Sequence, residues 1–333
     1  MEQIYRYFEN LITSLRWFGN ISFGTPPQTL TVVFDTGSGT AVSVFNQDFE
    51  NLTVRECTDT MAILGLSAPD VPLLLITDQT EGFDIDPFSG IVGMAFRPNQ
   101  TIFSLFLTPK IVGNAELTLG GIDESKVNGT LIFSPIVLPH DGSDGSLWML
   151  NSSTIIVNNQ SSPILQKPLE IIFDSGTSNL VFDSNITKAI YQLISPNIKP
   201  HGTLGAFGLP CSEIGSVVAD ISFTFTNISG NPFVLSVPSE EFNLGPFDDD
   251  PTTCQTLINA LDGFNIIGGS LLKHYYSVWD VDHAQLGFVI PPDQPLTSTT
   301  SNTTGVSAAP ASGAYLPTLL SIVAVLLLSM TVV

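Results

Sequence analysis

One short pattern occurs twice in this chain: Phe34-Asp35-Thr36-Gly37-Ser38, and again Phe173-Asp174-Ser175-Gly176-Thr177. Each copy follows an apolar stretch, residues 30–34 and 169–173, and ends in a glycine turn. Each carboxylate is therefore expected where a buried strand opens into a loop. A single Asp-Thr-Gly says little, because all three residues are ordinary turn formers. Two copies with matched flanks constrain the fold far more. The match continues downstream in two apolar-apolar-Gly elements, Ile91-Val92-Gly93 and Ile266-Ile267-Gly268. This reads as an internal duplication in which each half supplies one carboxylate to a shared site.

Further stretches accompany the pair: Gly24-Thr25-Pro26-Pro27-Gln28, Leu119-Gly120-Gly121-Ile122-Asp123, and Trp279-Asp280 with Leu286-Gly287-Phe288. Taken together, residues 17–291 resemble the pepsin family of aspartic endopeptidases. The resemblance implies a mostly-β, bilobal fold with the active site in the cleft between two related lobes. It implies peptide or protein substrates, hydrolysis at acid pH, and no metal, cofactor or covalent intermediate. Asp35 and Asp174 take the place of the catalytic acids, sharing one proton as a coupled pair. Gly37 and Gly176 let backbone amides approach them. Thr36 and Ser175 take the interlocking position beneath the dyad, and Ser38 and Thr177 donate to the outer carboxylate oxygens. Considered one pair at a time, these hydroxyls could equally be plain turn stabilisers. The family also places a disulfide in its second lobe, and Cys211 and Cys254 stand at those positions. Cys57 has no evident partner and reads as a buried or incidental thiol, with no motif that would make it catalytic.

Composition agrees with a secreted protein and excludes some partners. The chain has 333 residues, 43% of them apolar, enough for two domain cores. Its 31 acidic and 10 basic residues leave a net charge of -21, which repels phosphate backbones and argues against nucleic acid. Asn-x-Ser/Thr sequons at Asn20, Asn51, Asn99, Asn128, Asn151, Asn159, Asn185, Asn227 and Asn302 suggest glycosylated exterior surface, with Asn20 expected to be buried in a strand. A monomer is expected.

The domain reading is an extension over 1–16, a first lobe over 17–140, a second over 141–291, a linker over 292–315 and a hydrophobic tail over 316–333. The linker is rich in Ser, Thr and Pro and the tail carries no charge. Spacer followed by tail reads as a glycolipid (GPI) attachment signal with cleavage near Ser307-Ala308-Ala309, similar to the fungal GPI-anchored members of the family. A membrane anchor of 18 residues is the competing reading, barely long enough to span. Residues 1–16 lack the apolar core of a signal peptide; Ile4, Phe8, Leu11, Ile12 and Leu15 instead recur at helical spacing. The expected location is the cell surface.

Strands are expected at 21–23, 30–34 and 220–227, the last with strict alternation of apolar and polar residues. Helices are expected to be few and short, with 184–194 the clearest, capped by Ser184. The interval from Asp35 to Ile91 is 56 residues against 92 from Asp174 to Ile266. The family places a hairpin flap in the first interval, with a tyrosine that closes over substrate. No tyrosine occurs here between Tyr7 and Tyr191, and Val42 stands near the position of the tryptophan that supports it. The flap, and a helix after Phe96, are therefore expected to be missing. Two readings follow: an aspartic endopeptidase impaired by loss of the lid, or a pepsin-like binding protein without activity. Gly-x-Ser-x-Gly and His-Glu-x-x-His are both absent, so serine-hydrolase and zinc-protease readings fail, and His140, His201, His274 and His283 read as surface or packing residues. Cleavage specificity and the role of Cys57 are not legible.

Overall fold

The computed structural model describes residues 17–39, 52–79, 89–96, 102–108, 112–113, 115–138, 147–202, 205–292 and 323–327. The helical pattern at 4–15, Val42, His140, Ser307 and the sequons at Asn51, Asn99 and Asn302 lie outside them.

The first half contributes β1 (Phe18–Phe23), β2 (Gln28–Asp35), β3 (Leu52–Ile63), β4 (Leu66–Gln79), β5 (Gly90–Gly93), β6 (Phe103–Phe106), β7 (Glu116–Leu119) and β8 (Thr130–Pro135). The second contributes β9 (Met149–Ser152), β10 (Thr154–Val157), β11 (Leu169–Phe173), β12 (Leu180–Phe182), β13 (Lys199–His201), β14 (Ala206–Pro210), β15 (Ile221–Thr226), β16 (Pro232–Val237), β17 (Asn243–Pro246), β18 (Thr253–Thr256), β19 (Ile258–Ala260), β20 (Ile266–Ile267), β21 (Ser277–Asp280) and β22 (Gln285–Ile290). A last strand, β23 (Val323–Leu327), comes from the apolar tail. The described α-helices are α1 (Ser184–Ile194), α2 (Cys211–Ile214) and α3 (Gly269–Leu272), with 3-10 turns at Glu124–Lys126 and Ser239–Glu241.

The fold is mostly β and bilobal, and its two halves repeat one arrangement. In the first, β2 runs antiparallel to β1 and parallel to β5, with Phe34 opposite Val92 and Asp35 opposite Gly93. In the second, β11 runs antiparallel to β9 and parallel to β20, with Phe173 opposite Ile267. On the far side of β20 lies β12, antiparallel to it and parallel to β19. The corresponding place in the first half is filled by β23, antiparallel to β5 and parallel to β4, which completes a closed barrel of β1, β2, β5, β23, β4 and β3.

A sheet in the order β7-β6-β21-β22-β8 draws strands from both halves, so the lobes share backbone hydrogen bonds as well as side-chain packing. Aromatic rings cross the same boundary. Trp279 stacks on Phe103 at 5.6 Å and meets Trp148 edge-on at 5.2 Å, while Trp148 also meets Phe96 edge-on at 5.3 Å. Such pairs contribute about 0.5–1.5 kcal/mol each beyond area burial.

Local chemistry sets the elements as alternation dictates. Ile221, Phe223 and Phe225 of β15 are fully buried, and the residues between them are less so. α1 buries Ile186 and Ile190, but its cap is Asp183, whose carboxylate accepts from Asn185 N–H at 2.9 Å. Ser184 was expected in that role; it is the first helical residue, and the stronger acceptor one place earlier closes the turn. Asn20 also departs from expectation. It lies in β1 but on the outward face, exposed, because burial alternates along that strand. Cys211 and Cys254 form a disulfide with Cα atoms 4.9 Å apart, and Cys57 is a half-buried free thiol on β3.

One long hairpin, β3 with β4, occupies the shortened interval of the first half. It turns at Leu64-Gly65, both at positive φ (53° and 81°), and its turn end pairs with β1 through Phe23–Met61 and Ser22–Ala62. Phe23 lies opposite Gln28, at the end of β2 remote from Asp35. At strand rise that places the hairpin tip about 20 Å along the sheet from the Asp35 end.

Candidate active site

Asp35 is the last residue of β2 and Asp174 follows β11 directly, so two repeats of one strand-to-loop exit bring the carboxylates together. Each carboxylate is held by its own loop. Gly37 N–H donates to Asp35 Oδ1 at 2.9 Å and the Ser38 hydroxyl to Asp35 Oδ2 at 2.6 Å. Gly176 N–H donates to Asp174 Oδ1 at 2.7 Å and the Thr177 hydroxyl to Asp174 Oδ2 at 2.5 Å. Gly37 N–H also reaches Asp174 Oδ1 at 3.1 Å, so the inner oxygens of both acids share one donor.

The glycines are required by space. A Cβ on Gly37 would sit 2.3 Å from Asp174 Cγ, and one on Gly176 would sit 2.5 Å from Asp35 Cγ. Each loop therefore packs bare backbone against the opposite acid.

Beneath the acids the loops are cross-strapped. The Thr36 hydroxyl donates to Phe173 O at 3.1 Å and accepts from Ser175 N–H at 2.9 Å. Reciprocally, the Ser175 hydroxyl donates to Phe34 O at 2.7 Å and accepts from Thr36 N–H at 3.1 Å. Thr36 is fully buried and Ser175 nearly so. Four bonds between segments from opposite halves contribute roughly 2–6 kcal/mol net, taking about 0.5–1.5 for each.

Electrostatics follow from this crowding. Burial pushes the Asp35 carboxyl well above the usual carboxylate range, and the adjacent charge of Asp174 and a hydrogen bond with it push in the same direction. The Ser38 and Gly37 donors oppose the rise without cancelling it. Two carboxylates in this arrangement do not ionise independently. Asp35 keeps its proton over a range where an isolated aspartate would have lost it.

The apolar-apolar-Gly elements turn out to brace the loops. A Cβ on Gly93 would lie 2.6 Å from Ser38 O, and one on Gly268 would lie 2.3 Å from both Thr177 O and Asn179 O. Met94 N–H donates to Asp35 O and Asp174 N–H donates to Ile267 O, fixing each aspartate backbone to its parallel neighbour.

The structure also pairs two residues that sequence reading left unmatched. Phe34 N–H donates to Trp17 O and Phe173 N–H to Trp148 O, while the two indoles donate to Thr108 O and Met94 O. Trp17-Phe-Gly-Asn20-Ile-Ser and Trp148-Met-Leu-Asn151-Ser-Ser share the spacing W-x-x-N-x-S, a repeat signal that would have extended the duplication upstream. Cys211 and Cys254 lie apart from the dyad, in α2 and β18. The described histidines lie beside carboxylates elsewhere, His201 with Asp249, His274 with Glu241 and His283 with Asp280. Among the described residues no cluster of His, Cys, Asp and Glu could hold a metal ion.

Two β-rich halves that each aim one aspartate into a common, cross-strapped centre define the architecture of an aspartic protease. The family model for eukaryotic aspartyl proteases matches residues 16–57 and 98–290, more than half of the sequence, and the chain belongs to that family. It is 25% identical to pepsin II-1 of Oryctolagus cuniculus over 81% of this chain and 80% of that protein. Embryonic pepsinogen of Gallus gallus is 24% identical over 82% and 80%, and cathepsin E of Aquarana catesbeiana 24% over 82% and 79%. Residues 58–97, which carry most of the β3–β4 hairpin and β5, fall between the matched stretches.

Proposed function

We propose that this chain is an aspartic endopeptidase that hydrolyses peptide bonds in proteins at acid pH through Asp35 and Asp174. The single observation that carries the reading is the pair of carboxylates sharing the Gly37 donor, each held by its own loop hydroxyl. In the reaction the ionised member takes a proton from a water between the acids, and that water attacks the scissile carbonyl. The protonated member donates to the carbonyl oxygen, giving a tetrahedral diol. The diol collapses as the amine leaves with a proton, and the dyad returns to its singly protonated state. Thr36 and Ser175 hold the loops in register, Gly37 and Gly176 admit the backbone amides, and Ser38 and Thr177 fix the outer oxygens. Asp35→Asn and Asp174→Asn are each expected to abolish acid proteolysis while leaving the disulfide and the fold in place. Full activity in either variant would sink the assignment.

A second reading, a pepsin-like binding protein without turnover, is favoured by two features of one hairpin. The hairpin in the shortened interval pairs its tip with the end of the sheet remote from Asp35, and it carries no tyrosine. Both support loss of the lid. A chain with the dyad and without its lid binds peptide weakly and turns over at least about a hundredfold more slowly than a complete relative. Grafting a complete relative's flap between Val42 and Cys57 is expected to restore the rate. No gain on grafting, with both acids intact, would favour the binding protein.

The same proposal takes residues 17–140 and 141–291 as the two lobes of a monomer, flanked by an extension over 1–16 and the linker over 292–315. The protein is read as a secreted glycoprotein held at the cell surface by a GPI anchor added near Ser307, as in fungal members of the family. No helix among the described residues is long and apolar enough to cross a membrane. Removal of the 316–333 signal takes β23 with it and leaves β4 and β5 without that neighbour.

A further inference from the structure

We propose that the turn-borne sequons at Asn128, Asn159 and Asn227 are sites of N-linked glycosylation. The proposal rests on the secretory reading above and deepens it by naming the modified atoms. In the reaction the carboxamide Nδ2 bonds to the anomeric carbon of an oligosaccharide carried on a lipid diphosphate. The nitrogen loses one proton and the lipid diphosphate departs. A usable site therefore needs the Asn-x-Ser/Thr pattern, an Nδ2 that the fold does not need, and room for a bulky polar group.

Asn159 meets these conditions at a hairpin tip. Asn158 and Asn159 form the two-residue turn that Val157 and Gln160 close, at φ 49° and 60°. Their side chains divide the work. Asn158 bonds inward, donating to Val218 O at 2.7 Å and accepting from Asp220 N–H at 3.0 Å, while Asn159 is exposed. Glycan on Asn159 thus leaves the bonds that hold the turn intact.

Asn227 presents its nitrogen differently. Its Oδ1 accepts from Ser229 N–H and Asn231 N–H, both at 2.9 Å, so the turn is held by the oxygen. Substitution at Nδ2 preserves both bonds. The next residue, Ile228, is an apolar side chain left 62% exposed, and a glycan on its neighbour would shield it from water. Asn128 is exposed between β7 and β8, followed by Gly129 at φ 148°, whose missing Cβ would lie 2.1 Å from Ile290 O. Backbone packs against the sheet end there, and the Asn128 position faces solvent.

The test is to express the full chain behind a cleavable signal peptide in a glycosylating eukaryotic host and confirm signal removal by mass. Peptide-N-glycosidase treatment in heavy-oxygen water then marks each modified asparagine as a heavy aspartate. Labelling at all three positions is expected, with one step of gel mobility lost for each of Asn128→Gln, Asn159→Gln and Asn227→Gln. Unlabelled asparagine at these positions in signal-cleaved protein would overturn the proposal. Retention of the unfused chain in the cytosol of its own cell would instead overturn the secretory reading on which it stands.

Discussion

Thr36→Val tests how far the cross-straps hold the two halves together. The change keeps the shape of the side chain and removes one hydroxyl. That hydroxyl serves two backbone groups of the opposite half, the Phe173 carbonyl at 3.1 Å and the Ser175 N–H at 2.9 Å. Both stand in a region closed to water, with Thr36 fully buried and Ser175 1% exposed. A buried group left without its partner costs about 1–3 kcal/mol, so the two together should cost roughly 2–6 kcal/mol. Ser175→Ala removes a separate pair of bonds, to Phe34 O and from Thr36 N–H, and should cost a similar amount. The assay is urea unfolding followed by fluorescence, for which Trp17, Trp148 and Trp279 are all buried reporters. Activity measured where the variants remain folded should fall as well, because the loops that aim the acids lose their common reference. A loss of less than about 1 kcal/mol in both variants would show that these hydroxyls are turn stabilisers and that the halves are joined by other contacts.

Other outcomes follow from the same geometry. The raised Asp35 pKa means that the folded state holds a proton that the unfolded chain releases near pH 4, so this group's contribution to stability is present at low pH and is lost as pH rises through the raised value. Asp35→Asn should therefore flatten the melting temperature against pH above about pH 4, and curves of unchanged slope would contradict the reading. Gly176→Ala places a methyl 2.5 Å from Asp35 Cγ and should lower the rate at least about a hundredfold with the second half still folded, as read by peptide cleavage and by circular dichroism. Opening the Cys211–Cys254 bridge, which closes a loop over a separation of 43 residues, should cost about 4 kcal/mol in denaturant unfolding. Deleting 316–333 should release active protein into the medium if the tail is an attachment signal; an aggregated product would instead assign β23 to the fold.

The centre was legible in the sequence because it is encoded locally and twice. An apolar strand, an acid, a hydroxyl and a glycine in a row specify a strand exit, and duplication specifies that two exits meet. The bracing role of Gly93 and Gly268 was signalled only as a repeat, because nothing local says which carbonyl a glycine will face. The shared sheet was not legible at all. Pairing Phe288 with Ile132, or Trp279 with Phe103, is decided by the docking of whole lobes, and neither strand carries a sign of its partner. The β3–β4 hairpin carries little local signal for a different reason. Its turn places Leu64 at positive φ, where Asn or Gly is the usual signal, so its sequence does not announce a reversal. The cap of α1 was displaced by one residue because Asp183 and Ser184 are both good caps, and local chemistry alone does not rank adjacent candidates.

The reciprocal straps also bear on when the centre comes into being. While a ribosome has delivered only the first half, Thr36 has no Phe173 or Ser175 to bond, Gly37 has no second acid to face, and Asp35 has only the donors of its own loop. The cross-straps and the contact between the acids arrive with residues made more than a hundred positions later. On the proposed function, the fold would act as a coincidence gate on its own chemistry: a nascent or half-folded chain lacks the assembled pair, which forms only when both halves have closed on each other.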